Sequence, residues 1–287
     1  MKIARFTHKD GTRLGVVLGD EIADLGSDRF PTDVGTLLAE DGLEAAKAAA
    51  SGAPRLSLGE AKLEAPVARP PEFLAVGLNY RSHAAETGQP LPTVPVLFNK
   101  QSSCVAGPTD DVHIPRAAPE FVDYEGELGL VIGRRCRHVS GERAGEVIAG
   151  FLVVNDVSVR DWQMASPTWT MGKSFDTHGP IGPWLVTPDE VGDPHDLRLR
   201  TWVNGELRQH AGTDDLVFDC YDLITHLSTA FTLNPGTIVS TGTPSGVGFA
   251  RTPPALLVSG DVVRIEIDQI GAIENRLVPE PDETTVL

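Results

Sequence analysis

This chain of 287 residues is short of cysteine, of basic side chains and of long apolar runs, and each shortage excludes something. Its three cysteines, Cys104, Cys136 and Cys220, are far apart, odd in number and outside any Cys-x-x-Cys spacing. Neither a disulfide framework nor a cysteine zinc site is expected, and a reducing cytoplasm is the natural compartment. Lys and Arg number 24 against 40 Asp and Glu, a net charge of −16. That balance argues against a nucleic-acid or anionic-membrane partner, which wants a basic surface. It does not exclude acidic substrates, because a metal or a local Lys or Arg reverses the field inside a site. No window approaches the roughly 20 apolar residues of a membrane span. The opening Met1-Lys2-Ile3-Ala4-Arg5-Phe6 carries no apolar signal region. Gly-x-Ser-x-Gly and His-Glu-x-x-His are missing, which removes serine-hydrolase and zinc-protease readings. Internal repeats and low-complexity tracts are missing too.

What is present is mostly β pattern. Residues 1–25 read as a small antiparallel meander, with Asp10-Gly11 and Gly19-Asp20 as its turns. Residues 34–51 read as one helix, ended by Gly52-Ala53-Pro54. The proline-rich segment 66–72 reads as a stiff extended linker. It divides a small N-terminal domain, residues 1–65, from a larger domain, residues 66–287. Strands are expected at 73–76, 128–132, 150–154, 197–203, 237–240 and 262–267, and helical patches at 141–149 and 220–229. Strands without regular helical alternation imply an α+β, mainly β architecture with mixed, largely antiparallel sheets.

The most informative stretch is Asp123-Tyr124-Glu125-Gly126-Glu127, leading into the apolar run Leu128–Ile132. On a strand, residues two apart share a face, so Glu125 and Glu127 present their carboxylates together. Adjacent anions beside a core are costly unless something positive sits between them, and a hard divalent cation, Mg²⁺ or Mn²⁺, suits oxygen ligands. A solvated strand face is the plainer alternative. Asp156, at the end of another apolar strand, is either a third ligand or a cap for the next segment of chain. Arg160 and Gln163 share a face if their segment is helical, and serve either a substrate carboxylate or a surface ion pair. His83 and Glu86, three apart, form either a carboxylate-oriented base or an exposed helix pair. Lys173 sits among small and apolar residues, ready to hold developing negative charge or simply to snorkel. The glycine-rich Thr241–Gly248 loop lacks the Gly-Lys-Ser/Thr of a P-loop and the long helix of a dinucleotide site, so Thr243 marks either a substrate-facing loop or a simple turn.

The order of these pieces is more specific than any one of them. His-x-x-Glu, Glu-x-Glu, Asn-Asp-x-Ser-x-Arg-Asp-x-Gln, Gly-Lys-Ser-Phe-Asp and Thr-Gly-Thr-Pro-x-Gly, in that sequence, resemble the fumarylacetoacetate hydrolase family over roughly residues 70–285. The resemblance implies a mixed β-roll with a metal-bound site. Glu125, Glu127 and Asp156 would be ligands of Mg²⁺ or Mn²⁺. His83 with Glu86 would be a base dyad on a lid. Lys173, Arg160, Gln163 and Thr243 would contact the substrate, with Tyr80 and Arg81 beside the dyad as further candidates. Large eukaryotic-type members place a fourth acid where this chain has Val76, so it looks like the three-carboxylate group that acts on acylpyruvates. The implied activity is hydrolysis of a C–C bond in an acylpyruvate or 2,4-diketo acid. Isomerisation, decarboxylation or hydration of a related 2-oxo acid, and a catalytically silent metal-binding protein, stay open beside it. Members usually form homodimers.

Overall fold

A computed structural model of the protein describes residues 1–9 and 11–282. Strands β1 (Lys2–His8), β2 (Gly11–Leu18) and β3 (Glu21–Asp24) form the expected meander. Asp10, half of one expected turn, lies outside the described residues. The single helix expected over 34–51 is instead two, α1 (Val34–Ala39) and α2 (Leu43–Ala50). Between them Asp41 turns left-handed at φ 56° and Gly42 comes next, so the good helix formers on either side do not join. Strands β4 (Arg55–Ser57) and β5 (Lys62–Glu64) complete this unit.

The larger region continues with β6 (Phe73–Gly77), α3 (Arg81–Glu86), β7 (Val96–Lys100), the short β8 (Val105–Ala106), β9 (Val112–Ile114) and β10 (Val122–Asp123). Next come β11 (Gly126–Ile132), β12 (Ile148–Asn155), β13 (Ser158–Val159), α4 (Arg160–Met164), β14 (Gly179–Val186) and α5 (Pro188–Val191). Last are β15 (Arg198–Val203), β16 (Glu206–Gly212), α6 (Cys220–Ala230), β17 (Ile238–Ser240), β18 (Val262–Ile267) and β19 (Gly271–Pro279). The helix expected over 141–149 is a 3₁₀ segment, Gly141–Val147, and Ile148 and Ala149 already belong to β12.

One large sheet runs β4-β3-β2-β1-β14-β12-β11-β17-β6-β7, and a second runs β16-β15-β18-β19-β9. Most pairs are antiparallel; β17 with β6, β14 with β8, and β19 with β9 are parallel. The N-terminal meander is not separate from the rest, since β1 pairs directly with β14 (Ile3 opposite Leu185). Strands β11 and β12 are buried on both faces, which explains why they read as continuous apolar runs. Leu128, Leu130 and Ile132 pack with Leu199, Ile265 and Ile267 of the second sheet and with α6. Val131, Leu152 and Val154 pack on the opposite side with Ile3, Leu14 and Leu37 of the N-terminal unit. The β11–β12 hairpin is thus clamped between two cores. Its open end, where Gly126 pairs with Asn155, is a rigid place to mount side chains.

Candidate active site

Glu125 and Asp156 sit one step beyond the last pair of that hairpin, and the Asp156 amide donates to the Glu125 carbonyl at 2.9 Å. Glu125 therefore stands outside the strand expected to carry it, while Glu127 is inside β11. The glycine between them has a packing reason. A Cβ on Gly126 would lie 2.3 Å from Thr201 Oγ1, so no other residue lets the second sheet approach here. Oxygens of Glu125, Glu127 and Asp156 all lie within 4.8 Å of one another, and all three residues are buried.

Each carboxylate has its own partners. Glu125 accepts from Arg160 Nη1 and from Lys173 Nζ, both at 2.6 Å. Asp156 accepts from Lys173 Nζ at 2.8 Å and from Lys100 Nζ at 2.7 Å. Glu127 accepts only neutral donors, Ser240 Oγ at 2.5 Å and the Gly242 amide at 2.9 Å. Gly242 reaches that position with φ 105°. Behind these, Asp123 holds Arg160 through Nε and Nη2 at 2.9 and 2.7 Å and accepts the Gly248 and Phe249 amides.

The electrostatics are set by this pairing. Burial alone pushes Glu125 upward, but the ammonium of Lys173 and the guanidinium of Arg160 outweigh it and hold the carboxyl at about 2. Burial disfavours the Lys173 charge, yet Asp156 and Glu125 overcome it and raise that pKa. Glu127 goes the other way: burial, then the charges of Asp156 and Glu125, push it well above the usual carboxylate range. Four buried acids (Asp123, Glu125, Glu127, Asp156) face three buried cations (Lys100, Arg160, Lys173), and the unmatched acid is Glu127. An all-oxygen triad with one uncompensated charge fits a hard divalent cation.

His83 enters from α3. Its Nδ1 lies 3.1 Å from Glu86 Oε2, so the i,i+3 spacing does yield a carboxylate–imidazole pair. The other Glu86 oxygen accepts the Gly246 amide at 2.8 Å, which ties the pair to the glycine-rich loop. Asn79 fixes the approach to α3 by donating to the Phe218 and Thr241 carbonyls. His83, Glu125, Glu127, Arg160, Gln163, Lys173 and Thr243 all line one cavity of about 370 Å³, with apolar side chains forming much of the rest. Arg160 Nη1 also donates to Gln163 Oε1 at 2.9 Å, leaving the Gln163 amide nitrogen for a ligand. The Thr243 hydroxyl is held by the Gly126 carbonyl (3.0 Å) and by Gln209 (2.8 Å), so it stiffens the wall. Tyr80 and Arg81 are outside this lining. Tyr80 is fully buried, and Arg81 is exposed and donates to the Leu216 carbonyl.

Sequence reading singled out neither Lys100 nor Asp123. Asp123 had a signal, since Asp123, Glu125 and Glu127 are acids at alternate positions. Lys100 had none: it closes β7, and only the fold brings it to Asp156 and to the Lys173 carbonyl. A second depression of about 390 Å³, between the N-terminal unit and the 133–149 segment, has no comparable cluster among the described residues. No helix among the described residues is long and apolar enough to cross a membrane.

Comparison with known proteins shows the family and the fold. Residues 72–278 match the family described as Fumarylacetoacetate (FAA) hydrolase C-terminal, and residues 1–66 match Rv2993c-like, N-terminal. The mitochondrial oxaloacetate tautomerase fahd2 of Xenopus laevis is 42% identical over 97% of this chain and 90% of its own length. Maleylpyruvate hydrolase from Sphingobium sp. SYK-6, solved in complex with manganese(II) ion and pyruvate, superposes with a TM-score of 0.82 at 38% identity, covering 98% of this chain and all of its own. 5-Carboxymethyl-2-hydroxymuconate delta-isomerase from Mycobacterium smegmatis has a TM-score of 0.80 at 34% identity, with the same coverage.

Proposed function

We start from the fact that the chain belongs to the fumarylacetoacetate hydrolase family, and propose that it is a divalent-metal-dependent hydrolase cleaving a C–C bond in an acylpyruvate or 2,4-diketo acid. The observation that carries this reading is a Glu-oriented histidine on the same cavity as Glu125 and Glu127, two members of a buried carboxylate triad completed by Asp156. A divalent cation, Mg²⁺ or Mn²⁺, held by Glu125, Glu127 and Asp156 would supply Lewis-acid polarisation of the carboxylate and keto oxygens of a 2-oxo acid. His83, with Glu86 on its Nδ1 side, takes a proton from water through Nε2, and the carboxylate stabilises the imidazolium. That water attacks the distal ketone. As the C–C bond breaks, its electron pair carries negative charge to the pyruvate half until C3 takes back the proton held by His83, which gives pyruvate and restores the neutral imidazole. Lys173 meets that charge with the one of its three donors that Glu125 and Asp156 do not use. Arg160 keeps Glu125 in place, and Gln163 offers its amide to a substrate oxygen.

A second reading, tautomerisation of oxaloacetate or a related 2-oxo acid, is favoured by the 42% identity to the Xenopus tautomerase over nearly the whole chain. The same imidazole would then shuttle a proton between carbon and oxygen with no bond cleaved. A mass-resolved product assay on the Mg²⁺- or Mn²⁺-loaded protein separates the two. Acetylpyruvate and fumarylpyruvate should each yield pyruvate and a second acid. Turnover of oxaloacetate to an isomer of unchanged mass, with the acylpyruvates untouched, would replace the first reading by the second.

A further inference from the structure

The two ends of the cavity differ in kind. All its cationic groups lie at the triad end, and each is engaged: Lys173 by Glu125 and Asp156, Arg160 by Asp123, Glu125 and Gln163, His83 by Glu86. Phe98 lies under the Lys173 ammonium, 5.1 Å from Nζ to its ring centroid, and beyond it the wall is Met164, Trp169, Val247 and Phe249, with the neutral Thr87 and Gln89. Trp169 fixes this wall, edge-on to Phe98 at 5.5 Å between ring centroids and against Gly77, where a Cβ would meet its ring at 2.4 Å. Met164, Trp169, Val247, Phe249, Thr87 and Gln89 come from three segments that contain no Lys or Arg: residues 82–99, 161–172 and 241–250. Arg251, just past the last of them, is turned to Glu206 at 3.4 Å. Met164 of this wall is 63% exposed.

We infer that the pocket beyond the reacting carbons takes a neutral, apolar tail and rejects a second carboxylate. This rests on the 2-oxo acid reading above and narrows it, because maleylpyruvate and oxaloacetate, which name two of the relatives, both carry a second carboxylate. A carboxylate carried into this wall loses water and finds no free cation, which disfavours it strongly. A methylene there gains about four-fold in affinity when fully buried.

The test uses unreactive 2-oxo acids with one head and different tails, titrated calorimetrically into the Mn²⁺-loaded protein. 2-Oxohexanoate and 2-oxoadipate have the same carbon count and differ at the far end, methyl against carboxylate. We expect 2-oxohexanoate to bind at least ten-fold tighter than pyruvate, and 2-oxoadipate no tighter than pyruvate. Met164→Arg, at an exposed position, should raise 2-oxoadipate affinity about ten-fold by adding a cation to the wall. Parent protein that binds 2-oxoadipate as tightly as 2-oxohexanoate would overturn the inference and leave the 2-oxo acid reading standing. A Met164→Arg variant with unimproved 2-oxoadipate binding would count against assigning this wall to the tail. Absence of pyruvate binding would overturn the 2-oxo acid reading and this inference with it.

Discussion

The inner and outer halves of one cavity are built on opposite principles. In the inner half nearly every atom is specified twice: Asp156 has a lysine on each oxygen, Glu125 has an arginine and a lysine, and Arg160 is itself gripped by Asp123. In the outer half the side chains are apolar or neutral, and Met164 and Phe249, 63% and 42% exposed, make no polar side-chain contact that fixes them. The three carboxylates stand at the end of a hairpin buried on both faces, whereas Met164 sits at the far end of α4, Thr87 and Gln89 in the 87–95 segment, and Val247 and Phe249 at the end of the glycine-rich loop. A buried, mutually paired charge network tolerates no change cheaply, whereas a partly exposed apolar wall changes by small steps. For the substrate proposed above, such a design would keep the reacting head fixed and leave the tail adjustable.

The largest effect that would sharpen this contrast comes from the unmatched acid. Glu127→Gln preserves the hydrogen bonds from Ser240 and Gly242 on one oxygen but removes the charge. We expect metal binding to be lost by calorimetry and kcat to fall about 1000-fold, equivalent to several kcal/mol of lost Lewis-acid assistance. The thermal midpoint should hold, because no cation is stranded. A variant that still binds Mn²⁺ normally would remove Glu127 from the ligand set and break the account of the inner half. Next is His83→Gln. Hydrolysis should fall roughly 100- to 10,000-fold, while Mn²⁺ affinity stays at the parent value because the ring touches Glu86 and no ligand of the triad. Retained hydrolysis would assign water activation elsewhere.

Much of the inner half was legible in the chain because its chemistry needs particular residue types at particular spacings. The Glu-x-Glu pair, the His83–Glu86 spacing and the Arg160–Gln163 spacing are local, and local geometry carries them into the structure. The apolar runs around 128–132 and 150–154 likewise announced strands, and the structure buries both on two faces. What failed to show was long-range or backbone-encoded. The break between α1 and α2 depends on one left-handed residue, Asp41, inside a good helix-forming composition. The start of β12 at Ile148 depends on sheet pairing overriding a helix-like pattern. Lys100 is 56 residues from Asp156, and no spacing rule links them. The outer wall is marked only by what its three segments lack, which a search for motifs passes over.

Lys100 offers the third, smaller effect, because it lies behind the triad. Its ammonium holds the Asp156 oxygen that Lys173 does not, so Lys100→Met leaves Asp156 with one cation instead of two. Loss of such an orienting partner typically weakens a metal site by about 10- to 100-fold. We expect that loss in Mn²⁺ affinity, with kcat at saturating metal reduced much less than in Glu127→Gln. Unchanged affinity would make Lys100 a structural lysine bridging β7 to the Lys173 carbonyl.

The smallest effect belongs to the outer wall and tests whether it is adjustable in the way its exposure implies. Phe249 is 42% exposed, and its structural duty lies in the backbone, whose amide binds Asp123; the ring itself only faces the cavity. Phe249→Ala should therefore leave Arg160 and the triad in place. Removing part of a half-covered ring from the tail contact should raise KM for a long-tailed neutral acylpyruvate about three- to ten-fold, leave kcat near the parent value, and affect acetylpyruvate, whose tail is a single methyl group, much less. A KM increase with kcat intact is the signature of lost uniform binding, whereas a fall in kcat for every substrate would mean that disturbance at the mouth reaches Asp123 and Arg160. In that event the two halves would be one mechanical unit, and the wall could not vary without cost to the chemistry.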